Sequence, residues 1–268
     1  MKQHIDTAPV WEVYRQDCEC PMCLLYGKSE AANVGYFLGE SVMEPSQRIE
    51  VNQKGFCAGH FKQMYDAGNR LGLALITHTY MKETMKKLGD IAVQARDAAA
   101  SEAGKPIFKR FGGSKGAGFQ EPVGALKDIE DSCLVCERIR ENMERYMYTL
   151  LYMYRHEPEF PELFAKSKGM CLSHYAQALE MAPKHLSGDV LKRFVDTLTE
   201  LETKSFERLE GEIEWFTSKF DYRNQDKPWG NSRDAVKRSV NKLCRQVIED
   251  CYSVNTGEFV NGQGMCAR

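Results

Sequence analysis

Two cysteine pairs with the spacing C-x2-C, Cys20/Cys23 and Cys133/Cys136, are each followed by a C-x2-H pair, Cys57/His60 and Cys171/His174. The gap from Cys23 to Cys57 is 34 residues and that from Cys136 to Cys171 is 35. The copies are offset by 113 residues at the first cysteine and 114 at the third. Flanking residues agree too: Lys54-Gly55-Phe56-Cys57-Ala58-Gly59-His60-Phe61 aligns with Lys168-Gly169-Met170-Cys171-Leu172-Ser173-His174-Tyr175. A period near 113 is too long for a solenoid unit, so the pattern predicts a duplicated domain. The copies run over 10–96 and 125–220.

Soft donors at these spacings point to a metal. A C-x2-C knuckle aims two thiolates at one ion, and a C-x2-H supplies a third sulfur and an imidazole. Three sulfurs and a nitrogen make a tetrahedral set that suits Zn2+. The order of the motifs predicts one zinc per copy, held by Cys20, Cys23, Cys57 and His60 in the first, and by Cys133, Cys136, Cys171 and His174 in the second. An iron–sulfur cluster usually takes four thiolates, and histidine ligation is the minority pattern. Haem attachment would need a histidine directly after the second cysteine, and neither pair has one. A thioredoxin-like dithiol would need a preceding strand and would leave the histidines unexplained.

The remaining sequence reads as mostly α. After Cys136, Met143, Tyr146, Met147, Leu150, Leu151 and Tyr154 recur at helical spacing up to Pro158 and Pro161. Tyr146–Tyr154 has almost no polar face, which predicts burial between the copies or in a homodimer. A short helix is expected after His174, to about Met181, before Pro183. A long one follows Ser187-Gly188-Asp189, with Val190, Phe194, Leu198, Leu201, Leu209, Ile213 and Phe216 as its apolar stripe. Copy one repeats the order, with a turn near Pro45 and a long helix through Ile76, Tyr80, Met85 and Leu88. Residues 97–124, with six glycines from Gly104 to Gly124, predict a linker without regular structure. The C-terminal part, 221–268, is expected to hold a loop and one helix over about 234–252.

A formal net charge of −2 argues against a strongly basic nucleic-acid binder, and 43% apolar residues suffice for a core. The longest apolar stretch, near Leu71–Ile76, is too short to span a membrane. No secretory leader is read at Met1–Asp6, so the expected location is cytoplasmic, with reduced thiols. Cys18 adds a third thiol beside the first knuckle, and Cys244, Cys251 and Cys266 have no counterpart in the repeat. No catalytic constellation stands out. The leading expectation is a zinc-binding helical scaffold or regulatory protein with structural metal sites and a protein or small-molecule partner. A thiol-redox or metal-dependent enzyme using Cys18 or the C-terminal cysteines is the alternative, and a nucleic-acid-associated regulator the third.

The two C-x2-C…G-[FM]-C-x2-H modules are followed by Trp215-Phe216, Lys219-Phe220-Asp221-Tyr222-Arg223 and Pro228-Trp229-Gly230-Asn231-Ser232. With these segments the chain resembles, over nearly its whole length, a family of unknown function from anaerobic bacteria, some members of which carry a transporter substrate-binding label. The resemblance implies no established activity. The label would require export, which the N-terminal sequence does not predict.

Overall fold

A computed structural model describes residues 6–104 and 116–244, and every regular element in them is helical. The helices are α1 (Thr7–Tyr14), α2 (Pro21–Leu38), α3 (Pro45–Lys54), α4 (Ala58–Asp66), α5 (Arg70–Ala103), α6 (Gln120–Asp131), α7 (Leu134–His156), α8 (Phe160–Ala165), α9 (Leu172–His185), α10 (Gly188–Ser218) and α11 (Ala235–Cys244). The series α2–α5 and α7–α10 have the same order, and each opens at a C-x2-C knuckle. None of these helices is long and apolar enough to cross a membrane.

Prolines start helices here more often than they stop them. Pro21, Pro45 and Pro161 lie in the first turns of α2, α3 and α8, where the missing N–H has no intrahelical partner to lose. The turn expected at Pro45 is therefore the entry to a ten-residue helix. Pro183 sits inside α9, which continues to His185 rather than ending near Met181. The segment expected to lack structure is partly helical: α5 runs on to Ala103, and a short 3-10 turn at Ala117–Phe119 leads into α6. The rest of it, 105–115, lies outside the described residues, as do Cys251 and Cys266.

The core lies between α2 and α7, which pack against each other and each start at a C-x2-C pair. Met22, Leu25 and Phe37 of α2 and Val135, Ile139, Met147, Leu150 and Leu151 of α7 are buried in one continuous cluster. The Tyr146–Tyr154 stretch is largely inside, as its composition predicts, although Tyr148 reaches solvent. Asn142 Nδ2 donates to Ser29 Oγ at 2.8 Å, and these residues are 113 positions apart, the period of the repeat. Contact between equivalent positions is what a local two-fold axis requires.

Other contacts also cross between the copies. Arg138 of α7 lies 4.5 Å from the Phe37 ring centre and hydrogen-bonds Gln47, while Lys54 pairs with Glu137. Trp11 and Tyr14 of α1 pack on Phe160, both at 5.3 Å between ring centres, so the N-terminal helix joins the aromatic core of the second copy. Tyr154, Phe164 and Phe194 complete that cluster.

Candidate metal centres

Each of the four motifs occupies the same place in its helix. Cys20, Cys57, Cys133 and Cys171 are the N-cap residues of α2, α4, α7 and α9, all with extended backbone. The second member of each motif, Cys23, His60, Cys136 or His174, is the third residue of the helix. N-cap and third residue share a face, so x2 spacing converges two side chains on one point beyond the helix end. There the N–H groups are unpaired and the dipole is positive, which favours thiolates. Cys136 N donates to Cys133 Sγ at 3.4 Å, a sulfur version of a side-chain cap. Gly55 and Gly169, two residues before the C-x2-H motifs, have φ of 65° and 78°. A Cβ at Gly55 would lie 2.2 Å from the Tyr80 ring, and one at Gly169 2.5 Å from Glu202 Oε1. Left-handed backbone and lack of space together explain why both motifs begin with glycine.

All eight donors gather into two groups, but the partners are exchanged relative to the sequence expectation. Centre one is Cys20, Cys23, Cys171 and His174; centre two is Cys57, His60, Cys133 and Cys136. Each C-x2-C of one copy meets the C-x2-H of the other. The physical reason is the α2–α7 contact, which sets the N-terminus of α2 beside that of α9 and the N-terminus of α7 beside that of α4. Leu134 N donates to Gly55 O at 3.1 Å and holds the two knuckles of centre two together. The matching donor at centre one would be Pro21, which has no N–H.

The spacings fit a tetrahedral ion. In centre one, Cys20, Cys23 and Cys171 Sγ lie 3.5, 3.5 and 3.2 Å from His174 Nδ1, and Cys23 and Cys171 are 3.5 Å apart. In centre two, Cys57, Cys133 and Cys136 Sγ lie 3.3, 3.2 and 3.4 Å from His60 Nδ1, and Cys57 and Cys136 are 3.9 Å apart. Tetrahedral zinc with ordinary bond lengths would place sulfurs about 3.8 Å from one another and about 3.6 Å from nitrogen. Hydrogen bonds from Cys20 and Cys23 push the Cys171 thiol far down despite burial, while burial first, and then its sulfur neighbours, push Cys20 up. In centre two, burial opposes ionisation of Cys133, but His60 and the amides of Cys136 and Cys57 bring it to about 6. Burial and the Cys133 neighbour raise Cys136 to about 12. Burial alone would lower His60, yet its bonds to Cys133 and Glu30 raise it to about 10. Three adjacent sulfurs cannot all ionise without a cation among them, and a divalent ion removes that conflict.

Around these donors the centres differ. Centre one is enclosed: Cys20, Cys23, Cys171 and His174 are all buried, with Cys171 at 0% exposure. Helix α11 closes it. Lys242, 1% exposed, donates to Lys168 O at 2.7 Å, approaches Glu19 O at 3.5 Å, and pairs with Glu202 at 3.0 Å. Glu202 accepts from Met170 N, beside Cys171; burial raises its pKa and Lys242 opposes that rise. Glu19, just before Cys20, takes Arg208 at 2.5 Å and Arg238 of α11 at 3.2 Å. His174 Nε2 is buried without a hydrogen-bond partner among the described residues. In centre two, His60 Nε2 donates to Glu30 at 3.1 Å, Cys57 is half-buried and Cys136 is exposed. Cys18 joins neither group; burial raises its thiol to about 11. Cys244 is exposed at the end of α11. Glu30, Glu202 and Lys242 carry no sequence signal for these roles.

The described residues form an all-helical protein with two Cys3His groups that could hold metal ions, each joining one C-x2-C pair to one C-x2-H pair. The chain belongs to the family of unknown function DUF6062, which its residues 1–250 match. It is also similar to the uncharacterized 23.9 kDa protein in the xynA 3'region of Caldicellulosiruptor sp. (strain Rt8B.4), with 24% identity over 213 residues, covering 80% of this chain and 87% of that protein. No solved structure matches.

Proposed function

We propose that this is a zinc-binding scaffold protein, in which two zinc ions pin the halves of a duplicated helical domain to each other. One observation carries the reading: eight donors from four helix N-termini meet as two Cys3His sets, each drawing two donors from either half. Four protein donors fill a tetrahedral ion and leave no open position for water or substrate, which favours holding over catalysis. Three thiolates favour a soft or borderline ion over Mg2+ or Ca2+, and the histidine in each set favours zinc over an iron–sulfur cluster. Thiols kept for metal imply a reducing compartment, so we place the protein in the cytoplasm, where a protein or small molecule would be its partner. Native mass spectrometry with elemental analysis tests the reading. Two zinc ions per chain are expected; fewer than two in undamaged protein, or iron with inorganic sulfide, would overturn it.

A further inference from the structure

We propose that centre two is an exchange site for a thiophilic divalent ion, entered at Cys136, while centre one is permanently closed. The inference rests on the metal reading above and adds a division of labour to it. Ligand substitution at a four-coordinate ion needs an incoming donor to reach the metal as a protein sulfur leaves. In centre two Cys136 is exposed and Cys57 half-buried, whereas His60 and Cys133 are buried, so an incoming donor can approach from the Cys136 side. The exchange is a substitution without electron transfer. The metal–sulfur bond to Cys136 breaks, a bond to the incoming thiolate or chelator forms, and the freed thiolate takes a proton from solvent.

The same centre is built to refill. Glu30 fixes the His60 ring through Nε2, and Leu134 N–Gly55 O ties the two knuckles together. Cys57, His60 and Cys133 therefore stay arranged as a three-donor seat when Cys136 lets go. Outer carboxylate partners of metal-bound histidines typically matter about 10–100-fold in affinity. Centre one offers no equivalent approach. All four of its donors are buried, and α11 lies across it through Lys242 and Arg238.

Zinc-loaded full-length protein mixed with excess 4-(2-pyridylazo)resorcinol tests this. The expected result is two phases of one ion each, the faster from centre two and the slower from centre one. Cys136→Ser should abolish the fast phase and keep the slow ion. Alkylation of loaded wild-type protein with iodoacetamide, mapped by mass, gives a readout independent of any variant's folding. Among the six donor cysteines Cys136 should react first, with loss of one ion, while Cys20, Cys23 and Cys171 stay protected; Cys244, exposed and outside both groups, serves as the unprotected reference. One common release rate, a fast phase surviving in Cys136→Ser, or equal alkylation of Cys171 and Cys136 would overturn the division. A chain that takes up no zinc at all would instead overturn the metal reading, because there would be no release to time.

Discussion

Centres one and two have the same donors, the same helix positions and the same mixed parentage, yet their surroundings differ. At centre one α11 adds buried charge, with Lys242 on the carbonyls of Lys168 and Glu19 and on the Glu202 carboxylate. At centre two Gly55, the counterpart of Gly169, faces the Tyr80 ring instead of a carboxylate, and Cys136 is exposed. The four motifs thus supply two equal sets of donors, and the elements around them make the two sets unequal. Donor identity sets what can bind; what covers the donors sets how readily it leaves.

The largest expected effect comes from removing centre one. A metal bound only by the folded state adds its binding free energy to folding, an apparent ~10–16 kcal/mol in zinc-finger peptides, against ~5–15 kcal/mol for a whole domain. Cys171→Ser should therefore unfold both halves together, read as loss of most helical circular dichroism. Retention of half the helicity in a cooperative melt would show that the halves stand alone.

The exchanged pairing makes a sharper claim. Cys57→Ser/Cys136→Ser should cost one ion, because both residues serve centre two. Cys23→Ser/Cys57→Ser should cost both ions. Native mass spectrometry giving the opposite counts would restore pairing within each copy.

Lys242→Ala is the next step down. Removing one partner of a buried ion pair typically costs about 3–5 kcal/mol, and denaturant unfolding should show a loss of that size. Centre one should then release its ion faster, approaching centre two. Unchanged stability and unchanged release would mean that α11 does not seal the centre. Glu30→Gln should have the smallest effect. Zinc affinity at centre two should fall by about 10-fold, with centre one untouched. Competition titration separates the two ions, and equal weakening of both would remove Glu30 from its assigned role.

What was legible in the sequence follows from range. All eight donors could be read because each motif is an N-cap and a third residue, a local relation fixed by helix geometry. The helices after Cys136 and Ser187 were readable for the same reason, from periodic apolar residues. The pairing of motifs was not. Cys23 meets Cys171 across 148 positions and His60 meets Cys133 across 73, and nothing in either spacing distinguishes a partner in the same copy from one in the other. Only the packing of α2 on α7 decides it. Prolines were misread at Pro45 and Pro183 because their effect depends on position: at a first turn proline is compatible with a helix, and near the last turn α9 tolerates it.

Synthesis of the chain gives the exchanged pairing a schedule. A ribosome adds ~5–20 residues per second. Cys23 must therefore wait roughly 7–30 s for Cys171, 148 positions later. Centre two can close once Cys136 has emerged, centre one only after His174, and the α11 cover comes later still. Through that interval Cys20 and Cys23 are open to any soft ion or oxidant nearby, and Cys57 and His60 are open until Cys136 arrives. The nascent chain thus passes through a stage in which five of the six donor thiols and one of the two donor imidazoles precede Cys171, with only the open centre complete. On the division proposed above, the last ion to enter is the one that leaves the finished protein most slowly.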